Sequence, residues 1–599
     1  MNVADAIVTA LREEGIGHLF CVPGEMIDPL LRSLTRQHEV QPIVCAHEAG
    51  AAYMADGYAR AGGRFGVCAT TSGPGFTNTL TALAMAHTDR SPLLAISGEV
   101  KQDRAGRGAY QDSSATGIRG ADMSGSVTAL QRDLTSPSLA WHHLGHLLRS
   151  MLDHASRGPV HLSIPFDVQE AGITGEWARL PSSLYQPRFV DTGSCDAFWE
   201  QVGTKAKVAV LAGSGCVQSD ATEALVRFAE SFDIPVATTL PAKGVFPEDH
   251  RLSLGVMGWP GNRPAIDALT SGNLDVLFVL GSRLNMLDTL VWTTGFRPRH
   301  ALIANDINAS GVFQDYRVDL PILGDVRCCL DALNCAAPSL SASLRASRGA
   351  RLDWLVSLKP NGTLTDPIRR SASESRGLHP AEAITVLRRV MPRSTMLFID
   401  SGAHAFFAGH YWTAYEPRRF FTSIKYMGSM GWAIPAAIGA KLARPDDPCV
   451  VVTGDGCMLM HGIEMQTAAR YGVPLICVVL NNSAYGNPKL RADRVSPELG
   501  RLHELPTHDW AKFAASLGAR GVTVYNASDL ADRFEQALQA RTAVVIDVRT
   551  ANVPTPTEAF DRMAASGQLH GSQLGAALRA DEVPDARRAG AFDVPKEQC

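Results

Sequence analysis

The 599-residue chain is 45% hydrophobic and 19% charged, a balance that builds substantial cores and excludes a disordered polymer. Its formal net charge of −4 leaves no electrostatic footprint for nucleic acid, and no basic run marks a membrane surface, so small molecules are the expected partners. No apolar run is long enough to cross a bilayer, and the twelve cysteines lack a C-x-x-C pair, which suits reduced thiols in the cytoplasm.

Residues 1–15 read as an amphipathic helix carrying Asp5, Glu13 and Glu14, unlike a basic signal or transit segment. Dense strand and helix alternation follows: strand 43–46, helix 49–61, strand 65–70, helix 76–89 and strand 93–97. Such alternation predicts a parallel sheet covered by helices, here in a first unit over 1–172. Residues 170–193, rich in Pro, Gly and Ser, read as a linker. The second unit, 190–335, opens with a strand at 208–212 followed by Gly213-Ser214-Gly215, and holds the buried-strand run 274–280. A Ser- and Arg-rich linker is expected over 334–377. In the third unit, 378–552, a strand at 449–453 ends in Gly454-Asp455-Gly456, a helix of about a dozen residues stops near Gly472 and Pro474, and a strand at 475–480 leads to Asn481-Asn482. The polar residues 553–599 read as a tail or lid. The expected fold class is therefore α/β, with three doubly wound parallel-sheet domains, and the first and third could share one fold.

Asp455 and Asn482 are 27 residues apart and both fall at the carboxyl ends of predicted parallel strands, where open α/β sheets bind ligands. Magnesium takes six hard oxygens, few of them from protein and the rest from phosphate and water. One carboxylate, one amide oxygen and a backbone carbonyl near Ala484 would make the protein's share. Each dipeptide alone is also an ordinary turn; the pair in a strand-helix-strand frame is what points to a magnesium-diphosphate clamp.

This spacing resembles the thiamine diphosphate-dependent enzymes, and the resemblance runs over most of the chain. It implies that Asp455, Asn482 and the Ala484 carbonyl hold magnesium, with Gly454, Gly456, Cys457 and Tyr485 in the surrounding cofactor site. In Cys45-Ala46-His47-Glu48-Ala49-Gly50, Glu48 resembles the acid that binds the aminopyrimidine N1′, so that the 4′-amino nitrogen can take the proton from thiazolium C2. A helix start favours the Glu48 anion by about 0.3–1 kcal/mol, whereas burial in a closed apolar pocket opposes it and wins. Gly73-Pro74-Gly75 with Asn78 resembles the loop lining the cofactor cleft, and Gly402-Ala403-His404 the segment that donates N–H groups to the diphosphate. Met430, in Gly428-Ser429-Met430-Gly431, resembles the residue that props the cofactor in its bent form. The Gly428 carbonyl would accept from the 4′-amino group.

Segments 241–250 and 319–325, with Tyr110-Gln111, resemble the acetohydroxyacid (acetolactate) synthase branch, in which Gln111 orients the reacting intermediate. The paired histidines of simple pyruvate decarboxylases are absent from the Gln111 region. Three positions depart from the branch: Arg491 replaces a Trp, Phe166 a Lys, and Trp259-Pro260 a Met-His pair. The resemblance thus implies a carboligase that joins a decarboxylated 2-oxo acid, pyruvate first, to a second carbonyl compound. Its alternatives are a 2-oxo acid decarboxylase releasing an aldehyde, a flavin-dependent oxidase, and a silent regulatory homologue. Thiamine diphosphate and Mg2+ are the expected cofactors. FAD is compatible with the middle unit, where Arg283, Asn305 and Asp306 fall near family flavin contacts. A homodimer or homotetramer with active sites between subunits is the expected assembly.

Overall fold

The computed structural model describes residues 1–62, 64–312, 315–368 and 377–556, except the side chains of 336–345. The expected tail thus lies almost wholly outside the described residues. Three six-stranded, all-parallel sheets stand one behind another along the chain. The first holds β1 (His18–Cys21), β2 (Gln41–Val44), β3 (Gly66–Thr70), β4 (Leu93–Glu99), β5 (Leu130–Asp133) and β6 (Val160–Pro165), in the order β2-β1-β3-β4-β6-β5. The second holds β7 (Val208–Ala212), β8 (Val236–Thr239), β9 (Ser253–Met257), β10 (Val276–Leu280), β11 (Ala301–Asp306) and β12 (Leu320–Leu323), in the order β12-β11-β10-β7-β8-β9. The third holds β13 (Met396–Ile399), β14 (Phe420–Thr422), β15 (Cys449–Gly454), β16 (Ile476–Asn481), β17 (Arg520–Val524) and β18 (Val544–Arg549), in the order β14-β13-β15-β16-β18-β17.

The first and third orders are the same once each sheet is counted from its own first strand, which is the shared fold expected of those units. The second has the dinucleotide-binding order of doubly wound sheets. Central strands such as β10 and β15 are buried at every position, because helices cover both faces of a parallel sheet. That burial explains why they appear in the sequence as unbroken apolar runs.

The sequence expectations differ from the structure in five places. β1 is a four-residue strand beside the opening helix, and β5 is a half-buried edge strand with a polar sequence; neither carries a periodic apolar signal. The single helix expected after Asp455 is broken into Asp455–His461, a turn over Gly462–Glu464 and Met465–Arg470. The helix expected over 76–89 is split into Pro74–Thr77 and Leu80–Asp89. The expected linker 334–377 is largely helical, since Val326–Ala346 continues through its start and Arg348–Leu358 follows. Among the described residues no helix is long and apolar enough to cross a membrane.

The first and third units meet through helices Glu48–Gly62 and Ala433–Ala443, both rich in alanine and buried along nearly their whole length. Small residues let the backbones touch. A Cβ on Gly57 would fall 1.9 Å from the Ala436 carbonyl oxygen, and one on Gly439 would fall 1.9 Å from that of Met54. Beside the crossing, the Trp432 indole donates to Asp56 Oδ2 at 2.7 Å, and Asp56 pairs with Arg60 at 2.9 Å. Because backbone atoms cannot yield as a side-chain tip does, Gly57→Ala and Gly439→Ala are each expected to cost about 1–3 kcal/mol or more of stability. Gly349→Ala, with nothing within 4 Å of the new methyl, should be neutral or stabilising. Urea unfolding midpoints of the three variants check this, and equal midpoints would remove the crossing from its place in the fold.

Candidate active site

The third sheet changes direction between β13 and β15, and the loops after these strands and after β16 bound a cleft of about 270 Å³. In the ladder Gly454 pairs with Leu480, so Asp455 and Asn482 leave the sheet at the same edge. Asp455 begins its helix and is 1% exposed. Its Oδ2 accepts the N–H groups of Asn482 at 2.9 Å and Ser483 at 3.1 Å, and its Oδ1 accepts the Trp510 indole at 2.8 Å. Burial raises the Asp455 carboxyl above its ordinary range while these donors oppose it. The Asn482 amide nitrogen donates to Asn552 Oδ1 at 2.6 Å, which orients the amide and leaves its oxygen as a ligand atom. Ala484 is buried in the same cleft, tied by a bridge to Glu504.

The other walls fit an anionic cofactor. Helix Ala403–Tyr411 begins in the cleft behind Gly402, presenting its first N–H groups there. His404, pushed down to about 4 by burial, is a neutral imidazole whose buried Nε2 has no partner within the protein. A Cβ on Gly456 would lie 2.5 Å from Tyr485 and 2.7 Å from the Met430 methyl, so Gly456, Tyr485 and Met430 form one tight wall. Gly428 has φ +66°, a left-handed turn that favours glycine, just ahead of Met430. Cys457 is buried, donates to the Ser401 carbonyl at 3.4 Å and is kept a thiol by burial, a structural part. Trp259 and Leu287 of the middle unit and Arg491 complete the lining. An Asp-Asn-carbonyl set with an unpartnered imidazole behind it suits a magnesium ion carrying a diphosphate.

A second cluster lies in the first unit. Glu48 is half-buried at the start of its helix; Asn78 donates to its Oε2 at 2.9 Å, and a Cβ on Gly75 would be 3.7 Å from its Oε1. Gly73, with φ +62°, and Pro74 form the turn above it, and Gln111 packs on Gly73. The third unit holds the approach to Glu48, because the buried Glu464 carboxylate accepts the N–H groups of Ala46 at 3.1 Å and His47 at 3.0 Å. The chain brings Glu48, Gly73, Pro74, Gly75, Asn78 and Gln111 together, and separately Gly402, Ala403, His404, Gly428, Met430, Asp455, Asn482, Ala484 and Tyr485. It does not join the two sets: among the described residues none of the first unit lines the Asp455 cleft.

Trp510, Asn552 and Glu464 were not legible as site residues. They hydrogen-bond to Asp455, Asn482 and the turn before Glu48 from positions far along the chain, with no local motif. The branch-like segment 241–250 is structural in part: Lys243 and Glu248 form a buried pair at 2.5 Å, and Glu248 also accepts the Ala414 N–H. Phe166 lies under Lys101, 5.0 Å from its amine. In the middle unit Gly215 packs on Gly281, and where this unit meets the other two a cavity of about 520 Å³ is lined by Arg90 and Arg157 of the first unit and Lys425 of the third. Arg157 is pushed down to about 10 by burial, and its Nε has no partner. Arg283 and Asp306 line the adjoining recess, whereas the Asn305 amide nitrogen is used by the carbonyls of Ile322 and Gly324.

Three family models match in chain order: the N-terminal thiamine pyrophosphate binding domain over residues 1–118, the central domain over 196–333 and the C-terminal binding domain over 400–548. The chain belongs to the thiamine pyrophosphate enzymes. Within that family it is related to acetolactate synthases at about 30% identity. It is similar to the probable acetolactate synthase large subunit of Methanocaldococcus jannaschii, 30% identical over 585 residues, 95% of this chain and 94% of that protein. The acetolactate synthase of Arthrospira platensis is 30% identical over 589 residues, 96% and 97% of the two chains. The acetolactate synthase large subunit of Corynebacterium glutamicum is 33% identical over 495 residues, 81% and 76%.

Trp510→Phe keeps most of the ring but strips Asp455 Oδ1 of its donor inside the protein. The cofactor-free enzyme is expected to lose about 1–3 kcal/mol, the cost of an unsatisfied buried acceptor. Urea unfolding followed by far-ultraviolet circular dichroism measures it; an unchanged midpoint would show that the indole does not hold the carboxylate.

Proposed function

We propose that the protein is a magnesium- and thiamine diphosphate-dependent carboligase that decarboxylates a 2-oxo acid, pyruvate first, and transfers the resulting two-carbon unit to a second carbonyl compound. The observation that carries this is the buried Asp455 carboxylate, aligned with the Asn482 amide at one sheet edge and faced by the unpartnered His404. Bound thiamine diphosphate supplies a nucleophilic carbon and a sink for the electron pair left by carbon dioxide. The chain's own residues do the rest. Asp455, Asn482 and the Ala484 carbonyl would hold the metal, and the helix start at Ala403 the diphosphate. Met430, braced against Gly456 and Tyr485, would prop the ring system. Glu48, with Asn78 on one oxygen, keeps the other free to exchange a proton with N1′.

Because one chain leaves Glu48 and Asp455 on separate surfaces, the reading requires at least a homodimer. Exposed apolar side chains beside both clusters support it: Tyr110 and Ile118 near Gln111, and Leu459 and Met460 on the helix from Asp455 with Ile463 in the turn after it. A homotetramer would repeat the same contact. Arg491, the one Lys or Arg among the described residues lining the cleft, supports an acceptor bearing a carboxylate or phosphate. The basic cavity of the middle unit and its strand order support FAD or a related nucleotide there.

Glu48→Gln should leave magnesium-dependent cofactor retention intact and lower turnover by about 10²–10⁴-fold. Asp455→Ala should abolish retention itself, read by denaturing the desalted protein and assaying released thiamine. Mass spectrometry of products from pyruvate with a panel of oxo acids, aldehydes and keto sugars tests ligation. Free acetaldehyde in the same yield whatever acceptor is present would refute it.

A further inference from the structure

Glu99 ends β4 and is 2% exposed, and its hydrogen bonds come from a single residue. The Ser113 hydroxyl donates to Oε1 at 2.5 Å, and the Ser113 N–H donates to Oε2 at 3.2 Å. The Ser113 oxygen in turn accepts the Gly73 N–H at 3.0 Å. A Cβ on Gly73 would be 3.0 Å from that of Gln111, and Gln111 sits at φ +60°, a conformation a non-glycine residue holds only when its surroundings impose it. The wall over Glu48 is thus tied to the end of β4 through the Glu99 carboxyl group.

We propose that Glu99, acting through Ser113, is a positioning residue that fixes Gly73 and Gln111 beside Glu48, and that ionisation of Glu99 loosens this wall. The role of Gln111 toward substrate rests on the proposed function; the tie itself does not. The charged groups facing Glu99 are acids, Asp112 on the same loop and Asp133 at the end of β5. Nearby, Lys101 lies over the Phe166 ring, and His161 on the adjacent β6 is neutral, held between Ser97 and Ser124. Burial, aided by the two acids and opposed by Ser113, pushes the Glu99 carboxyl up to about 7. A neutral Glu99 can still donate to the Ser113 oxygen and accept the Ser113 N–H, so the tie survives protonation. An open wall would return the carboxyl to water and to its ordinary range. The closed wall therefore binds the proton more tightly, and the stability this confers is full below the ordinary carboxylate range and gone once the pH passes about 7.

Hydrogen exchange of the full-length, cofactor-free protein tests this, with rates corrected for intrinsic exchange from pH 5 to 8.5. Protection of residues 100–120 should fall by about tenfold per pH unit between pH 5 and 7, then level off, as one ionisation requires. In Glu99→Gln it should be independent of pH. In Ser113→Ala it should be low throughout, while peptides of β4 and β6 keep theirs. A flat wild-type profile, or a slope that survives in Glu99→Gln, would overturn the proposal. The wild-type profile decides it even if the Gln variant does not fold. Because no substrate is present, the outcome is separate from whether pyruvate is the donor.

Discussion

The contact between the backbones of helices Glu48–Gly62 and Ala433–Ala443 sets the geometry of everything around it. Side chains at a helix crossing adjust by rotamer changes, but a carbonyl oxygen against a glycine Cα has no such freedom, so the two units lock at one spacing. Glu48 is the first residue of one of these helices, and Met430 lies three residues before the other. The two separate clusters of each chain are therefore referred to one joint. Glu464 reinforces it from the third unit by gathering the two N–H groups that precede Glu48, and a Cβ on Gly50 would run into that carboxylate.

The three sheets use their reversal points in the same way. After β13 and β15 lie Gly402 and Asp455; after β7 and β10 lie Gly213 and Gly281; after β3 lies the Gly73 turn. Parallel strands flanking a change of winding direction leave a crevice at their carboxyl ends, and glycines there let backbone come close. What differs is the chemistry placed in each crevice: a carboxylate and an amide in the third sheet, arginines around the second, and a single glutamate above the first. Fold explains where sites lie; the side chains decide what each can hold.

Much of this was legible because it rests on local patterns. Buried parallel strands appear as apolar runs, and the frame around Asp455 and Asn482 survives the breaking of its helix into three pieces, since only the strand ends have to be in place. Helical residues after Asn334 were obscured by Ser and Arg, which describe an exposed helix face as readily as a linker. The edge strand β5 was hidden by its short polar sequence, half-buried at every position. Trp510, Asn552, Ser113 and Glu99 could not be found from spacing, because each acts through a partner brought near only by the folded sheets. Glu48 was legible as a residue but not as a complete pocket, which the single chain leaves open.

Ile424 and Lys425 are neighbours in sequence that share one small recess and each border a larger space the other does not. Ile424 lines the cleft of Asp455, and Lys425 lines the basic cavity of the middle unit. One peptide unit is thus a shared partition between two chambers, and in a close-packed interior it cannot shift toward one without receding from the other. A displacement of this peptide, from whichever side it starts, is therefore felt in both chambers at once.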